Sequence, residues 1–301
     1  MAKKLHSQLF VLWHHKVLEE TAIGISHALE LMSLEHELTH SEDRIVCDAG
    51  DLYIIVGVHH FTRGLPKNYI VVQVEQPGSH WFDKHLEQSL ENAIGVIDFS
   101  PKLCQTWKSM GYNAFFVPMR IPLNLFVFDQ SETEPGLITQ DIDVLFYGGR
   151  CPRRVHFQKE LARACPGKNV VFRFYDLFGD ERENFIARAK IILNLHFWPQ
   201  SALQSHRIEY LMARGKCVVS EYSADEELDN RYAGAVKFSR YETMANTISV
   251  LLRNPKEIEL YGVRARKLSE INQFDLGYLR KALDQFCYAR DGQSSRSLIT
   301  I

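Results

Sequence analysis

The sequence predicts an α/β fold made of two tandem doubly wound domains that face each other across a cleft. Short β-branched runs alternate with longer stretches of helical periodicity, which is the pattern of parallel strands joined by crossover helices. This alternation stops between residues 119 and 142 and then restarts. The chain of 301 residues is long enough for two domains of ~150 residues, each with a core of its own.

The first domain is predicted to span residues 1–118 and to hold five strands. Each strand is a near-continuous apolar run, as expected of parallel strands covered on both faces. The predicted strands are residues 9–12, 52–58, 69–74, 93–97 and 114–117. Apolar residues at helical spacing from Leu18 to Met32 predict a long amphipathic helix after the first strand, and another helix is expected over residues 101–110.

A linker is predicted over residues 119–142, where prolines, an acidic stretch and a Pro-Gly pair interrupt the periodicity. The second domain then covers residues 143–290, and a polar tail of residues 291–301 is expected to be disordered. Its predicted strands are residues 143–147, 170–174, 191–195, 217–220 and 235–238, and its predicted helices are residues 155–165, 181–189, 202–214, 241–253 and 275–289. Both domains are therefore predicted to be Rossmann-like.

The charge and cysteine content indicate the broad class of protein. The 35 basic and 37 acidic residues give a net charge of -2, which argues against a strongly basic nucleic-acid binder, although such a count does not show a local basic patch. No stretch approaches the ~20 apolar residues of a membrane span. The six cysteines form no disulfide framework, so we expect a reducing compartment and a cytoplasmic location.

A glycine and arginine segment follows the first predicted strand of the second domain. Ligands of doubly wound sheets bind at the carboxyl ends of the strands. Gly148 and Gly149 let the backbone approach an anion, and Arg150, Arg153 and Arg154 can pair with phosphate oxygens. This composition suits a nucleotide diphosphate. The alternative is a tight turn followed by arginines on a solvated helix start.

A more specific segment lies at residues 209–219, which read Glu-Tyr-Leu-Met-Ala-Arg-Gly-Lys-Cys-Val-Val. It resembles the donor-binding signature of GT-B glycosyltransferases, Glu-Ala-Met-Ala-x-Gly-x-Pro-Val-Val, with Cys217 in place of the usual proline. Residues 178–190, 246–255 and 274–279 also resemble elements of that donor domain. The resemblance covers residues 143–287, whereas the similarity before residue 118 is only architectural.

The resemblance implies a donor site on the second domain. Glu209 would hold the ribose hydroxyls of a nucleotide sugar, since a carboxylate accepts two hydroxyl hydrogen bonds. The amino end of its helix would face the diphosphate, with His206 and Arg207 in the early turns. The implied donor is UDP- or GDP-linked, and neither a cofactor nor a metal is needed, because arginines and the helix dipole stabilise the leaving diphosphate. The alternative for Glu209 is a solvated helix carboxylate.

Ser201 departs from the family pattern. Many retaining members carry another glutamate eight residues before the ribose glutamate, and here that position is Ser201. We include Ser201 among the donor-site candidates, although with Gln204 it also predicts a capping box that opens the helix. The replacement leaves the stereochemistry of transfer undecided.

Candidates for a general base lie at strand ends in the first domain. His14 and His15 follow the first strand, His59 and His60 follow the second predicted strand, and Glu75 follows the next. Imidazole or a partly buried carboxylate can take a proton from an acceptor hydroxyl near neutral pH. Inverting GT-B enzymes often place a histidine in the first strand-helix loop, which favours His14 or His15, and Glu75 is the carboxylate candidate beside them. The alternative for each is a polar or packing role.

Residues 36–40 match the zinc-protease motif His-Glu-x-x-His. On a helix, His36 and His40 would face away from a buried stripe formed by Leu31, Leu34 and Leu38. The third zinc ligand is missing at the family spacing, so a metalloprotease remains a remote alternative.

The sequence therefore predicts a glycosyltransferase that moves a hexosyl or pentosyl group from a nucleotide diphosphate sugar to the hydroxyl of a glycan or another acceptor. Two alternatives remain open: a glycosyltransferase-like module that binds nucleotide sugars without catalysis, and a glycosyltransferase acting on DNA bases. The sequence carries no signal for an oligomeric state.

Overall fold

The computed structural model describes residues 8–41, 50–61, 64–119, 139–271 and 276–291. The chain divides into two compact units. The first unit comprises residues 1–119 and 274–301, and the second comprises residues 120–273. Most of the predicted linker and tail lies outside the described residues.

The first unit is a parallel six-stranded sheet in the order β2-β1-β3-β4-β5-β6. Its strands are β1 (Leu9–Trp13), β2 (Glu37–His40), β3 (Leu52–Val56), β4 (Tyr69–Val72), β5 (Gly95–Asp98) and β6 (Ala114–Phe116). Its helices are α1 (Glu19–Leu31), α2 (Lys84–Glu91), α3 (Pro101–Ser109) and, at the end of the chain, α10 (Leu276–Asp291). Every residue of β3, β4 and β5 is buried, which explains their unbroken apolar sequences.

The second unit is a parallel five-stranded sheet in the order β11-β10-β9-β7-β8. Its strands are β7 (Ile142–Gly148), β8 (Val170–Phe174), β9 (Ala189–Asn194), β10 (Cys217–Glu221) and β11 (Val236–Ser239). Its helices are α4 (Pro152–Ala164), α5 (Gly179–Arg188), α6 (Ser205–Ala213), α7 (Glu226–Arg231), α8 (Tyr241–Leu251) and α9 (Pro255–Ile271). The two sheets confirm the predicted pair of parallel α/β domains.

Local signals explain where several helices begin. Asp83 caps α2 by accepting a hydrogen bond from the Leu86 amide at 2.9 Å, and Ser100 caps α3 in the same way. Pro101 and Pro152 occupy the first turns of α3 and α4, where no amide donor is needed. These helices start where short polar residues satisfy, or proline removes, the unpaired amides of a first turn.

The last helix differs from the prediction. The sequence pattern assigns residues 275–289 to the second domain, but α10 packs on the sheet of the first unit. Phe286 is fully buried, and a Cβ placed on Gly95 of β5 would lie 1.9 Å from its ring. Phe286 also meets Phe115 edge-on, with ring centroids 5.2 Å apart. Because Gly95 has no side chain, the ring of Phe286 can pack directly against β5, and α10 docks there.

The prediction that residues 31–40 lie on a helix is also wrong, because only Leu31 of this stretch is helical. α1 ends at Leu31, and residues 37–40 form β2, the edge strand beside β1. Leu31 and Leu38 are exposed and not buried in a helical stripe. Within the described residues, no helix has the length and apolar character needed to cross a membrane.

Candidate functional site

The strand orders locate one crevice on each sheet. In both units the chain leaves the first strand in one direction and later strands in the other, so β1 and β3, and likewise β7 and β9, flank a topological switch point. Ligands of such sheets bind at the carboxyl ends of the strands beside that point. The residues that follow these four strands are therefore the candidates for ligand binding and catalysis.

In the second unit, Gly148 ends β7 with a φ of 145°, a conformation that strongly favours glycine. A Cβ at this position would lie 3.6 Å from a terminal nitrogen of Arg154 and 3.9 Å from one of Arg207. A Cβ on Gly149 would lie 3.3 Å from the rings of Phe197 and Tyr175. The two glycines thus leave backbone open beside two guanidinium groups.

Arg154 is buried on the first turn of α4. Its guanidinium donates hydrogen bonds to the carbonyl oxygen of Leu195 at 3.1 Å and to that of Gly149 at 2.8 Å. It also lies over the rings of Phe146 and Phe197, at 5.0 and 5.2 Å. Burial, and then the charge of Arg207, lower the pKa of Arg154 to about 10.

Arg207 is half-buried and reaches the same strand ends from α6. It donates to the carbonyl oxygen of Tyr147 at 2.9 Å and lies 3.7 Å from the centre of the Tyr147 ring. Burial lowers its pKa. Within the described residues, neither Arg207 nor Arg154 forms an ion pair with a carboxylate. Two cations that are held only by carbonyl dipoles and aromatic rings form a site that attracts an anion.

The remaining two arginines of this segment have different environments. Arg153 forms a two-pronged ion pair with Glu221, and its guanidinium stacks on Tyr241 at 3.9 Å. Arg153 therefore joins α4 to β10 and α8 structurally. Arg150 is exposed, and its carbonyl oxygen accepts a hydrogen bond from the Tyr175 hydroxyl at 3.2 Å.

The predicted capping box at Ser201 is wrong. α6 begins at Ser205 with Gln204 at the capping position, and no side chain caps it. The Ser201 hydroxyl instead donates to the carbonyl oxygen of Trp198 at 2.9 Å, which closes the loop before the helix. Ser201 therefore shapes the loop and does not open the helix.

Glu209 lies in the middle of α6 and is almost completely buried. This burial excludes the solvated carboxylate that was its alternative. The family signature places its glutamate five positions before its glycine, and five positions before Gly215 is Tyr210, so Glu209 matches with an offset of one residue. Tyr210 points to another partner, because its hydroxyl bonds Glu183 of α5.

The segment from the end of β9 to the first turn of α6 holds three buried polar atoms without a hydrogen-bond partner within the described residues. They are Nε2 of His196, Oγ of Ser205 and Nε of Arg207. Burial lowers the pKa of His196 and of His206 to about 4, so both imidazoles are neutral at pH 7. Buried polar atoms nearly always have partners, and these three in one short segment indicate where a ligand would supply them.

The histidines of the first unit meet at its own switch point. His15 and His60 stack with ring centroids 4.9 Å apart, and His59 and His60 are 4.1 Å apart. Nδ1 of His14 lies 2.5 Å from the carbonyl oxygen of Ser41. Burial first, and neighbouring histidines second, lower the pKa of His59 to about 3 and of His60 to about 4.

Glu75, which follows β4, lies at the same edge. Its carboxylate oxygen is 4.0 Å from Nε2 of His59. Burial raises the pKa of Glu75 to about 7, whereas burial, and then the charge of His14, lower the pKa of His15. A carboxylate that titrates near 7 suits a general base at neutral pH.

Sequence reasoning missed the side chain of Gln73 at this edge, whereas for Trp81 and Trp107 it leaves both a sugar-stacking role and a core role open. Gln73 is 2% exposed, and both its amide oxygen and amide nitrogen lack a partner within the described residues. Trp81 is 48% exposed, with its ring 6.0 Å from that of His59. Trp107 is fully buried and donates to Asp98 at 2.7 Å, so it belongs to the core.

The zinc-protease interpretation of residues 36–40 does not hold. The motif lies on a loop and an edge strand, so His36 and His40 do not share one face of a helix. Nε2 of His36 bonds the Ser26 hydroxyl at 2.6 Å, and Nε2 of His40 bonds the carbonyl oxygen of His14 at 2.8 Å. Both imidazoles fasten β2 to its neighbours.

Comparison with known proteins supports the fold. No protein-family model and no curated protein matches the sequence. Among solved structures, Anabaena HepE in complex with UDP and glucose aligns with a TM-score of 0.60 and 13% identity over 95% of this chain and 100% of HepE. WaaG, a glycosyltransferase involved in lipopolysaccharide biosynthesis, aligns with a TM-score of 0.57 and 12% identity over 92% of this chain and 98% of WaaG. The chain has the GT-B fold.

A third similar structure is longer than this chain. A single-substitution variant of S. aureus TarM, in complex with Fondaparinux, alpha-GlcNAc-glycerol and UDP, aligns with a TM-score of 0.54 and 14% identity over 79% of this chain. The aligned part of the chain spans 56% of TarM. At such identities the likeness is one of fold, and chemistry must be argued from the residues of this chain.

Proposed function

We propose that this protein is a glycosyltransferase that transfers a sugar from a nucleotide diphosphate donor to the hydroxyl of a glycan or another acceptor. The observation that carries the proposal is the convergence of Arg154 and Arg207 on Gly148, at the switch point of the second sheet, where neither guanidinium forms an ion pair among the described residues. UDP in the HepE and TarM structures and the glycosyltransferase activity named for WaaG support the same function.

The donor diphosphate would lie between these arginines and the amino end of α6. Unpaired helix amides and two guanidinium groups stabilise the negative charge that develops on a departing diphosphate. Fixed cations can do this without a metal ion. Ser205 and His196 offer their unpartnered polar atoms to the same ligand, and in this proposal Glu209 binds the ribose.

The acceptor would bind to the first unit, where its hydroxyl gives a proton to Glu75 or to a neighbouring histidine. His59 is a poor base at neutral pH because its pKa is about 3, whereas Glu75 is half-ionised near 7. Among the predicted base candidates, Glu75 is preferred to His15, because burial lowers the pKa of His15, and His14 stays a candidate beside Glu75. The four described cysteines are free and buried, which suits the proposed cytoplasmic location.

The proposal is tested by titrating the protein with UDP, GDP, ADP and their glucose conjugates in a calorimeter. Arg207→Gln should weaken binding of the preferred nucleotide about 10- to 100-fold, the cost of losing a charge-assisted hydrogen bond. Arg163→Gln is the matched control, because Arg163 is an exposed arginine of α4 outside the strand-end segment. Equal affinities for the two variants would show that the donor site is elsewhere.

A second measurement separates an enzyme from a non-catalytic module. An active transferase hydrolyses its bound donor slowly when no acceptor is present, and the released sugar is measured by chromatography. Binding without any release of sugar over long incubation would contradict catalysis while leaving the binding site intact.

A further inference from the structure

A second polar groove lies at the opposite edge of the second sheet, where its strands begin. It has a volume of about 920 Å³ and runs between α9 and the amino ends of β7, β9 and β10. This size is within the range of small-molecule sites, which is ~300–1,000 Å³. Because strands of a parallel sheet all run in one direction, this groove and the strand-end arginines are at opposite edges of the sheet.

Two cations meet at one side of this groove, and the charge of Glu183 offsets only part of the repulsion between them. The Lys216 ammonium donates to the carbonyl oxygens of Ala187 and Ala189, at 2.8 and 3.3 Å, which uses two of its three hydrogens. The Arg266 guanidinium lies against Gly215, where a Cβ would be 3.0 Å from its Nε. Within the described part of the chain, neither cation forms an ion pair, and Arg266 makes no hydrogen bond through its side chain.

The proximity of these charges is unfavourable without a counter-ion. Burial, and then the charge of Arg266, lower the pKa of Lys216 to about 8. Gly215 has a φ of 63° and no side chain, which lets the guanidinium come this close to the backbone before β10. An anion between the two side chains would replace a repulsion by two charge-assisted hydrogen bonds.

The other charges of the groove do not neutralise this pair. Lys190 is matched by Asp143 at 2.7 Å. Glu259 and Glu270 line the groove from α9, but neither forms an ion pair with Lys216 or Arg266. Lys168 and Lys267 add further exposed positive charge, whereas an apolar part of the lining comes from Leu252, Ile258 and Val263.

We propose that this groove binds a soluble organic phosphate, with Lys216 and Arg266 on the phosphate group and the aliphatic side chains of α9 and of Leu252 against the organic part. The site is separate from the proposed donor site and needs no residue of it. Its position at the amino ends of the strands also keeps it away from the switch point at which the sugar donor would bind.

The test uses the full-length protein and calorimetric titration with glucose 6-phosphate, inorganic phosphate and, as the uncharged match, glucose. Glucose 6-phosphate should bind and glucose should not. Arg266→Gln and Lys216→Met should each weaken binding about 10- to 100-fold, as expected for one lost charge-assisted hydrogen bond. Arg163→Gln, the matched surface control, should bind like the wild type, and so should the donor-site variant Arg207→Gln.

Three results would overturn the proposal. One is the absence of saturable binding of either phosphate with Kd below about 1 mM. Another is unchanged affinity in both groove variants, since Arg266 is exposed and its replacement does not disturb the core. A third is loss of phosphate binding in Arg207→Gln, because the phosphate would then occupy the donor site. Hydrogen exchange gives the location, with slower exchange expected in α9 and at the start of β10 when phosphate binds.

Discussion

Single residues at the strand ends combine burial with charge. Arg154 and Arg207 lose hydration but gain only carbonyl and aromatic partners, and Glu75 loses hydration beside His59. Such arrangements cost stability, since a buried charge without an opposite charge is unfavourable. A bound ligand that supplies the opposite charge or the proton removes this cost. The positions of such buried charged groups therefore indicate binding or catalytic sites.

The raised pKa of Glu75 predicts a dependence of stability on pH. Below about pH 4.5 both the folded and the unfolded protein hold this proton, so the site carries no penalty. As pH rises to about 7, the unfolded protein releases the proton and the folded protein keeps it, so the free energy of unfolding falls, and it levels off above that pH.

Glu75→Gln should therefore raise the free energy of unfolding by about 1–3 kcal/mol at pH 8 and leave it nearly unchanged at pH 4.5. Urea unfolding at the two pH values measures this, with Glu91→Gln as a control on an exposed position of α2. A gain of the same size at both pH values would disprove burial as the cause. If Glu75 is also the base, transfer by the wild type should increase as pH passes 7 and be lost in Glu75→Gln.

At the scale of elements, one contact decides where the last helix packs. The fully buried Phe286 of α10 fills the place of the side chain that Gly95 of β5 lacks. β5 is buried along its whole length, so no exposed route accommodates a larger residue there. A glycine in an interior strand thus allows an aromatic ring from a helix distant in the sequence to pack directly against the sheet.

A double-mutant cycle tests this contact. Phe286→Ala should destabilise the protein by about 3–5 kcal/mol through the cavity it leaves. Gly95→Ala should cost about 1–3 kcal/mol through overpacking against the ring. In the Phe286→Ala background the cost of Gly95→Ala should shrink, because the added methyl group enters the cavity. Strict additivity of the two losses in urea unfolding would mean that ring and glycine do not interact.

At the scale of the whole molecule, the first unit is built from two separate parts of the sequence, which lie before and after the second unit. The chain completes the first sheet, builds the second, and then returns with α10 to the first unit. The first unit therefore takes part of its core from α10, and it cannot be complete until α10 has been made.

Deletion of residues 274–301 should destabilise the first unit selectively. Amide hydrogen exchange should become faster in β5 and β6, which pack against α10, and stay unchanged in β7, β9 and β10. A chain that stops after residue 291 keeps α10 and should exchange like the wild type. Equal acceleration in both sheets, or none in the first, would show that α10 does not belong to the first unit.

The sequence alone was sufficient to predict the buried strands of both sheets. Such parallel strands are continuous apolar segments, which can be recognised without knowing the strands they pair with. It also located Gly148 and Gly149 at the end of a strand and Arg154 shortly after it, because glycine lets the backbone approach an anion and arginine can pair with one. The sequence did not predict β2, because residues 37–40 of this edge strand are mostly polar. It also misplaced the start of α6, because no side chain caps the first turn of that helix.

Only the tertiary structure decided the rest, because burial and partnership are properties of surroundings. Arg153 and Arg154 are adjacent in the sequence, but the fold pairs one with Glu221 and leaves the other without an ion pair among the described residues. Likewise, Gln73 and His196 become site candidates only when packing buries their polar atoms without partners in that part of the chain. The last helix, α10, has an ordinary amphipathic sequence. It packs on the first sheet because Phe286 fits into the space above Gly95, and no local sequence pattern predicts this contact.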